Sequence, residues 1–290
     1  MLPKHFPARA TITLALATLA LVLAGIVAQQ VEAQSRRYRA RDGGTLPFTT
    51  DAQILLALRE GEIVKEETLG SGTTGVKRLE IRYEGIVMRA AFRHIDVYER
   101  NIRLRDGSNF SGFYDRFSAE CAAYELGQML GLDMIPPAVL RRVGSQPGSV
   151  QLWVEDAMTE GERTRRGLRP PDSRAWRGQQ ATMRAFDALI ANSDRNTGNS
   201  LIDADWNLWL IDHSRTFQIP RGKTSFAQVN QISASLWEAL RALDHDSVRS
   251  RLGDYLEPPQ LRSLFDRHEE LIAHIESLIE ARGREAVVIE

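Results

Sequence analysis

The stretch FDALIANSDRNTGNSLIDADWNLWLIDHS, residues 186–214, decides how the rest of the chain is read. Asp194 stands five positions before Asn199, and an apolar run at 208–211 delivers a second acid, Asp212. Residues 201–202 can form one strand, the polar 203–207 a turn, and 208–211 the returning strand. Such a hairpin brings Asn199 and Asp212 together at its open end. One carboxylate and one amide oxygen can then share a hard cation, while Asp194 stays available to a substrate hydroxyl. Phosphoryl transfer uses that set: an acid that orients the nucleophile, and oxygen ligands for magnesium. The same residues are also ordinary loop composition, so the assignment depends on what surrounds them.

Upstream, Gly70, Ser71, Gly72, Thr73, Thr74 and Gly75 make a G-x-G-x-x-G match. A dinucleotide fold requires a helix next. Here Leu79, Ile81 and Tyr83 alternate with Arg78, Glu80 and Arg82, which is the period of a strand. Glu84-Gly85 marks a turn, and residues 86–93 a second strand. The glycines therefore cap a β-hairpin and suit a loop folded over nucleotide phosphates; a glycine-rich hairpin without ligand has the same pattern. In residues 86–93, Val87, Arg89, Ala91 and Arg93 share one face. Arg93 is the expected phosphate-clamping cation, with Arg89 on the same face and Lys77 after the glycines as alternatives.

Residues 117–130 read as a helix with Ser118 as its candidate N-cap. Glu120 in its first turn either holds the strand's cation or caps the helix in solvent. A strand over 149–155 ends at the expected lobe boundary, where the backbone at Val154 would meet an adenine. The C-terminal part reads as helical at 183–191, 233–243 and 259–281, with an Arg-, Gly- and Pro-rich loop at 159–174.

The chain is long enough, at 290 residues, for one large domain or two lobes. Its formal net charge of −1 argues against bulk attraction to nucleic acid. Residues 1–33 are a different material. Lys4 and Arg9 precede an uncharged apolar stretch at 10–28, and Val31-Glu32-Ala33 offers a cleavage site before Gln34. That pattern is a secretory leader, or an anchor retained in a membrane, and either places the remainder outside the cytoplasm. Residues 34–50 read as a polar linker whose arginines at 36, 37, 39 and 41 are solvated, or touch anionic lipid if the anchor is kept. The single cysteine, Cys121, rules out an intrachain disulfide. The six histidines have no zinc-ligand spacing, and no G-x-S-x-G elbow occurs.

These segments stand in kinase-like order. The offset from Asp194 to Asn199 is that of the kinase H-R-D-L-x-x-x-N loop, and Ala90-Ala91-Phe92-Arg93 stands where a kinase shows V-A-I-K. Together with Glu120-Cys121-Ala122-Ala123-Tyr124, the run GLDMIPP at 131–137, DRNTGN at 194–199 and IDHS at 211–214, residues 60–220 resemble the atypical kinases of the phosphatidylinositol 3- and 4-kinase superfamily. The likeness is greatest to the branch of type II phosphatidylinositol 4-kinases, HipA-like kinases and Golgi casein kinase-like secretory enzymes. It implies an α+β, two-lobed protein-kinase-like fold: a β-rich N-lobe with one helix over 51–155, and a mainly helical C-lobe over 156–290. It also implies ATP and Mg²⁺ as cofactors, Asp194 as catalytic acid/base, Asn199 and Asp212 as metal ligands, and Glu120 paired with Arg93. Asp212-His213-Ser214 replaces D-F-G, which gives His213 a packing or orienting role. The expected function is phosphate transfer from Mg·ATP to a hydroxyl of a protein, lipid or sugar. The alternative is an exported pseudokinase that binds nucleotide or a partner protein without turnover.

Overall fold

The computed structural model describes residues 38–69, 75–100, 102–103, 109–110, 112–192, 194–219 and 224–290. The leader at 1–33, the start of the expected linker, and Gly70, Ser71, Gly72, Thr73 and Thr74 lie outside them. Among the described residues no helix is long and apolar enough to cross a membrane.

Helix α1, Asp51–Glu60, starts at Thr50, whose hydroxyl accepts from the Gln53 amide while Gln53 reaches back to the cap backbone. It buries Ile54, Ala57 and Leu58. Strands β1 (Glu62–Thr68), β2 (Lys77–Tyr83) and β3 (Ile86–Arg93) follow as an antiparallel meander. In β3 the predicted alternation holds: Met88, Ala90 and Phe92 are buried in the core, and Arg89, Ala91 and Arg93 take the opposite face. Next comes an excursion that the sequence pattern did not reveal. Strand β4 (Asp96–Glu99) runs out, β5 (Ile102–Arg103) pairs with β6 (Asn109–Phe110), and β7 (Phe113–Arg116) returns against β4.

Helix α2, Ser118–Met129, packs against β8 (Ala138–Val143) and β9 (Gln146–Leu152). The sheet order is β1-β2-β3-β9-β8, and Arg93 pairs in register with Ser149. Ser118 does not cap α2, because its hydroxyl donates to the Tyr255 carbonyl instead. Gly148 is required on β9: a Cβ there would stand 2.2 Å from the Arg93 carbonyl oxygen.

The second lobe is mainly helical. After β10 (Met158–Thr159), α3 (Glu160–Arg165) occupies part of the region expected as loop, capped by the Thr159 hydroxyl. Helix α4 spans Ser173–Leu189, ten residues longer at its start than the apolar period announces, with Asp172 as its N-cap. Strands β11 (Ser200–Ile202) and β12 (Leu208–Leu210) form the expected hairpin, paired Ser200 to Leu210 and Ile202 to Leu208. Asp203 Oδ1 accepts the amides of Asp205 and Asn207, each at 2.9 Å, and so closes the turn. Strand β13 (Ile232–Ser233), α5 (Ala234–Ala242), α6 (His245–Leu252), α7 (Pro258–Arg282), α8 (Arg284–Val287) and β14 (Val288–Ile289) complete the lobe. The arrangement is α+β and two-lobed, and α2 is the helix of the β-rich lobe that reaches the cleft.

The described part of the expected linker is not a tether. Tyr38, Leu46 and Phe48 are buried in the same apolar cluster as Leu79, Ile81 and Phe92. The Tyr38 hydroxyl donates to Asp51 at 3.0 Å, and its ring lies 5.8 Å from that of Trp209 on β12. Three apolar residues spread over eleven positions carry no period, which is why the segment reads as a tether. Its folded role predicts that Leu46→Ala lowers stability by about 2–5 kcal/mol. Chemical denaturation checks this, and an unchanged midpoint would return the segment to a linker.

Candidate functional site

The end of α4 sets the loop that follows it. Asp187 accepts Arg195 Nε at 2.9 Å and Nη2 at 3.0 Å, a two-pronged pairing that holds the guanidinium plane. Arg195 Nη1 then donates to the carbonyls of Asn199, at 2.6 Å, and Ile211, at 2.9 Å. One half-buried cation thus ties the helix end to both arms of the β11–β12 hairpin. Ile211 N–H donates to the Asn199 carbonyl at 3.1 Å, extending the ladder beyond β11. Asn199 is thus in register with Ile211, and Asp212 follows it on the other arm at the open end of the hairpin. Asp212 adopts a left-handed φ of 62°, a strained conformation for a non-glycine residue.

Asp194 is fixed through its main chain. Its N–H donates to Asn192 Oδ1 at 3.0 Å, and its carbonyl accepts Asn199 Nδ2 at 2.8 Å. From α7, the buried Arg267 donates to the carbonyls of Leu189 and Gln218, locking the helix before the loop to the segment after Asp212. Burial pushes its guanidinium pKa down to about 10.

From the other lobe, β3 delivers Arg93. Its Nε lies 3.2 Å from Glu120 Oε1 and its Nη1 lies 3.0 Å from Asp212 Oδ1. Glu120 on α2 is wholly buried and is not a solvated cap. Its Oε1 also accepts the His213 N–H at 2.9 Å. Arg195 Nη2 stands 3.1 Å from His213 Nε2, so that nitrogen accepts and Nδ1 carries the proton. Nδ1 then points at Glu120 Oε2 from 3.4 Å, an electrostatic contact too long and misaligned for a hydrogen bond. His213 therefore orients Glu120, and the ring of Phe186 packs edge-on against it.

The other two cations go elsewhere. Arg89 is clamped on Glu155, at 2.6 Å through Nε and again through Nη2. Lys77 reaches Glu66 and Gln146. Val154 is half-buried directly after Trp153, whose N–H bonds the Arg89 carbonyl at 3.0 Å. Gly75 has φ 56°, and a Cβ there would meet the His94 ring at 3.0 Å.

Electrostatics set the two acids apart. Full burial pushes the Glu120 carboxyl up, but His213 and Arg93 outweigh it and bring its pKa below the ordinary value. Burial raises the Asp212 carboxyl; Arg93 draws it back, while Glu120 and Asp194 push it further up. A cation beside Asp212 would favour its charged form. Among the described residues no three His, Cys, Asp or Glu side chains form a closed metal cage. The site offers instead one carboxylate, Asp212, and one amide, Asn199, whose donor end is committed to the Asp194 carbonyl and whose oxygen could serve a cation. That donor set fits magnesium, which takes one or two oxygens from a protein and the rest from phosphate and water.

Three residues near Asp194 carry no sequence period that would single them out. Arg195 is one. Arg215 is another, with Nη1 3.2 Å from Asp194 Oδ2 and Nε 2.8 Å from Asp115 Oδ2. Asp115 itself lies on β7, in the excursion.

No family model matches the chain, and no curated protein matches it. Solved structures do. One described as hydra Fam20 with sugar superposes with a TM-score of 0.65 at 16% identity, over 88% of this chain and 97% of that one. The Golgi casein kinase with Mn/ADP bound gives 0.60 at 15% identity, over 82% and 78%. The Helicobacter pylori proinflammatory kinase CtkA gives 0.50 at 12% identity, over 77% and 98%. At these identities the likeness is one of fold: the chain has a protein-kinase-like fold related to that of these three proteins.

The buried array predicts an asymmetric mutational response. Arg93→Ala leaves Glu120 buried without its cation and should cost about 3–5 kcal/mol. Adding Glu120→Gln removes the stranded charge, so the double variant should be more stable than Arg93→Ala alone. Urea denaturation of the full cycle measures this; losses that simply add would contradict the pairing.

Proposed function

We propose that this protein is an ATP- and Mg²⁺-dependent phosphotransferase acting on a hydroxyl-bearing acceptor outside the cytoplasm. The observation that carries the reading is the convergence of Arg93, Glu120, Asn199 and Asp212 beside the partly exposed carboxylate of Asp194. Arg93 stands where it can clamp nucleotide phosphates, with Glu120 holding it in place. Gly70, Ser71, Gly72, Thr73, Thr74 and Gly75 would cover the phosphates, and the backbone at Val154 would receive the adenine. Magnesium bound to Asn199 and Asp212 would supply charge neutralisation and orientation for those phosphates. Asp194 accepts a hydrogen bond from the acceptor hydroxyl and takes its proton. Support for nucleotide use also comes from a similarly folded protein whose structure is described with Mn/ADP bound.

The acceptor is a hydroxyl of protein, lipid or sugar, because fold does not select among them. Export rests on the leader at 1–33, with Gln34 as the first mature residue or residues 10–28 retained as an anchor. A second reading, an exported pseudokinase, is favoured by one contact: Arg93 neutralises the same carboxylate that a metal would use. Arg and Lys are not equivalent in this place, since the planar guanidinium bridges two carboxylates that a single ammonium would approach differently.

Calorimetric titration with ATP and Mg²⁺, beside transfer of labelled phosphate into fractionated cell-envelope extracts, separates these readings. Asp194→Asn should abolish transfer and keep Mg·ATP affinity. Asp212→Asn should abolish transfer and weaken the Mg²⁺-dependent part of that affinity. Arg93→Ala should weaken nucleotide binding, while Arg89→Ala, whose side chain is held on Glu155, should change it little. Wild-type protein that binds no nucleotide with any divalent metal refutes the reading, and binding without turnover makes the pseudokinase correct. N-terminal sequencing of fractionated cells tests export: a full-length, freely soluble cytoplasmic chain contradicts it.

A further inference from the structure

Two arrays of the same form meet at the cleft. In the first, Glu120 holds Arg93 on Asp212; in the second, Asp115 holds Arg215 on Asp194. We infer that Arg215 is a positioning residue for Asp194, and that the β4–β7 excursion exists in part to hold Arg215 through Asp115. This inference rests on the phosphotransferase reading, because it gives Asp194 an acceptor to face.

Asp194 has a separate holder for each of its parts. Asn192 takes its N–H and Asn199 its carbonyl, so the main chain is settled. The carboxylate is 41% exposed, and an unrestrained aspartate there would exchange rotamers. Arg195, the adjacent cation in sequence, is committed beneath the loop to Asp187 and two carbonyls. Arg215 is the cation that reaches the carboxylate.

An isolated surface ion pair would hold little. This pair is built on a rigid frame. The Arg116 N–H donates to the Ser214 carbonyl at 2.9 Å. The buried Gln218 side chain grips both polar groups of the Tyr114 backbone, accepting its N–H at 3.0 Å and donating to its carbonyl at 2.6 Å. Residues 113–116 therefore run beside 214–218, which sets Asp115 and Arg215 opposite each other. The Arg215 guanidinium also lies 5.9 Å from the Phe113 ring centre. Two carboxylates on one guanidinium leave no positive surplus for an anionic acceptor, which decides for positioning and against acceptor recognition.

Steady-state turnover of Mg·ATP, with water or an envelope extract as acceptor, tests the inference in the full-length protein. Arg215→Ala should lower kcat about 100-fold, the scale of a misplaced reacting group, with KM for ATP, calorimetric Mg·ATP affinity and Tm unchanged. Asp115→Asn should lower kcat in the same direction by less. Arg215→Lys should recover part of the loss, and added guanidinium or methylguanidine at sub-denaturing concentration should partly restore Arg215→Ala. Wild-type kcat in both Arg215→Ala and Asp115→Asn overturns the inference. So does a loss confined to KM or to Mg·ATP affinity, which would put Arg215 on the phosphates. Should Arg215→Ala fail to fold, Asp115→Asn decides alone. Wild-type protein that binds Mg·ATP but never turns it over removes the phosphotransferase reading, and this inference with it.

Discussion

A carboxylate buried without any exposure to water is the constraint around which this molecule is arranged. Glu120 lies on α2, between the β-rich lobe and the helical one, and its charge must be compensated where it stands. Arg93 from β3, the His213 N–H, and the proton on His213 Nδ1 supply that compensation. One comes from β3 and two from His213, so satisfying one carboxylate brings β3, α2 and the segment after β12 into one place. Arg93 then spans to Asp212, and the two lobes share a charge network through the cleft. Beneath it Arg195 and Arg267 do the same for the backbone, binding carbonyls of α4, of both hairpin arms and of Gln218.

Much of the site was readable because its determinants are local. The hairpin over 200–210 follows from a polar turn at 203–207 and two short apolar runs, and it puts Asn199 on one arm and Asp212 just beyond the other. Alternation along β2 and β3 is equally local. What could not be read depends on partners far along the chain. Arg89 and Arg93 share a strand face, and only Glu155 and Glu120 tell them apart. Asp115 and Arg215 are a hundred positions apart and belong to no period. Tyr38 and Leu46 look like linker residues until the sheet and Trp209 are there to receive them.

Arginine, not lysine, at the end of β3 gives the candidate site its particular character. A guanidinium holds two carboxylates at fixed angles, so Arg93 bridges Glu120 and Asp212 where an ammonium would act as a point charge. The Asp212 carboxyl nevertheless stays above its ordinary range, because burial, with Glu120 and Asp194 adding to it, outweighs Arg93. Under the proposed function, a dication beside Asn199 would stabilise that carboxylate further. Under the proposed function, the balance between those two cations would separate a working phosphotransferase from a nucleotide-binding pseudokinase.

The most direct test is crystallographic: crystals grown with MnCl₂ and a non-hydrolysable ATP analogue, measured for the anomalous signal of manganese. The account predicts a peak within coordination distance, roughly 2.0–2.3 Å, of both Asn199 Oδ1 and an Asp212 carboxylate oxygen, with Arg93 on the analogue's phosphates and still on Glu120. An analogue bound with no manganese at these two residues, or manganese bound elsewhere in the molecule, would contradict it.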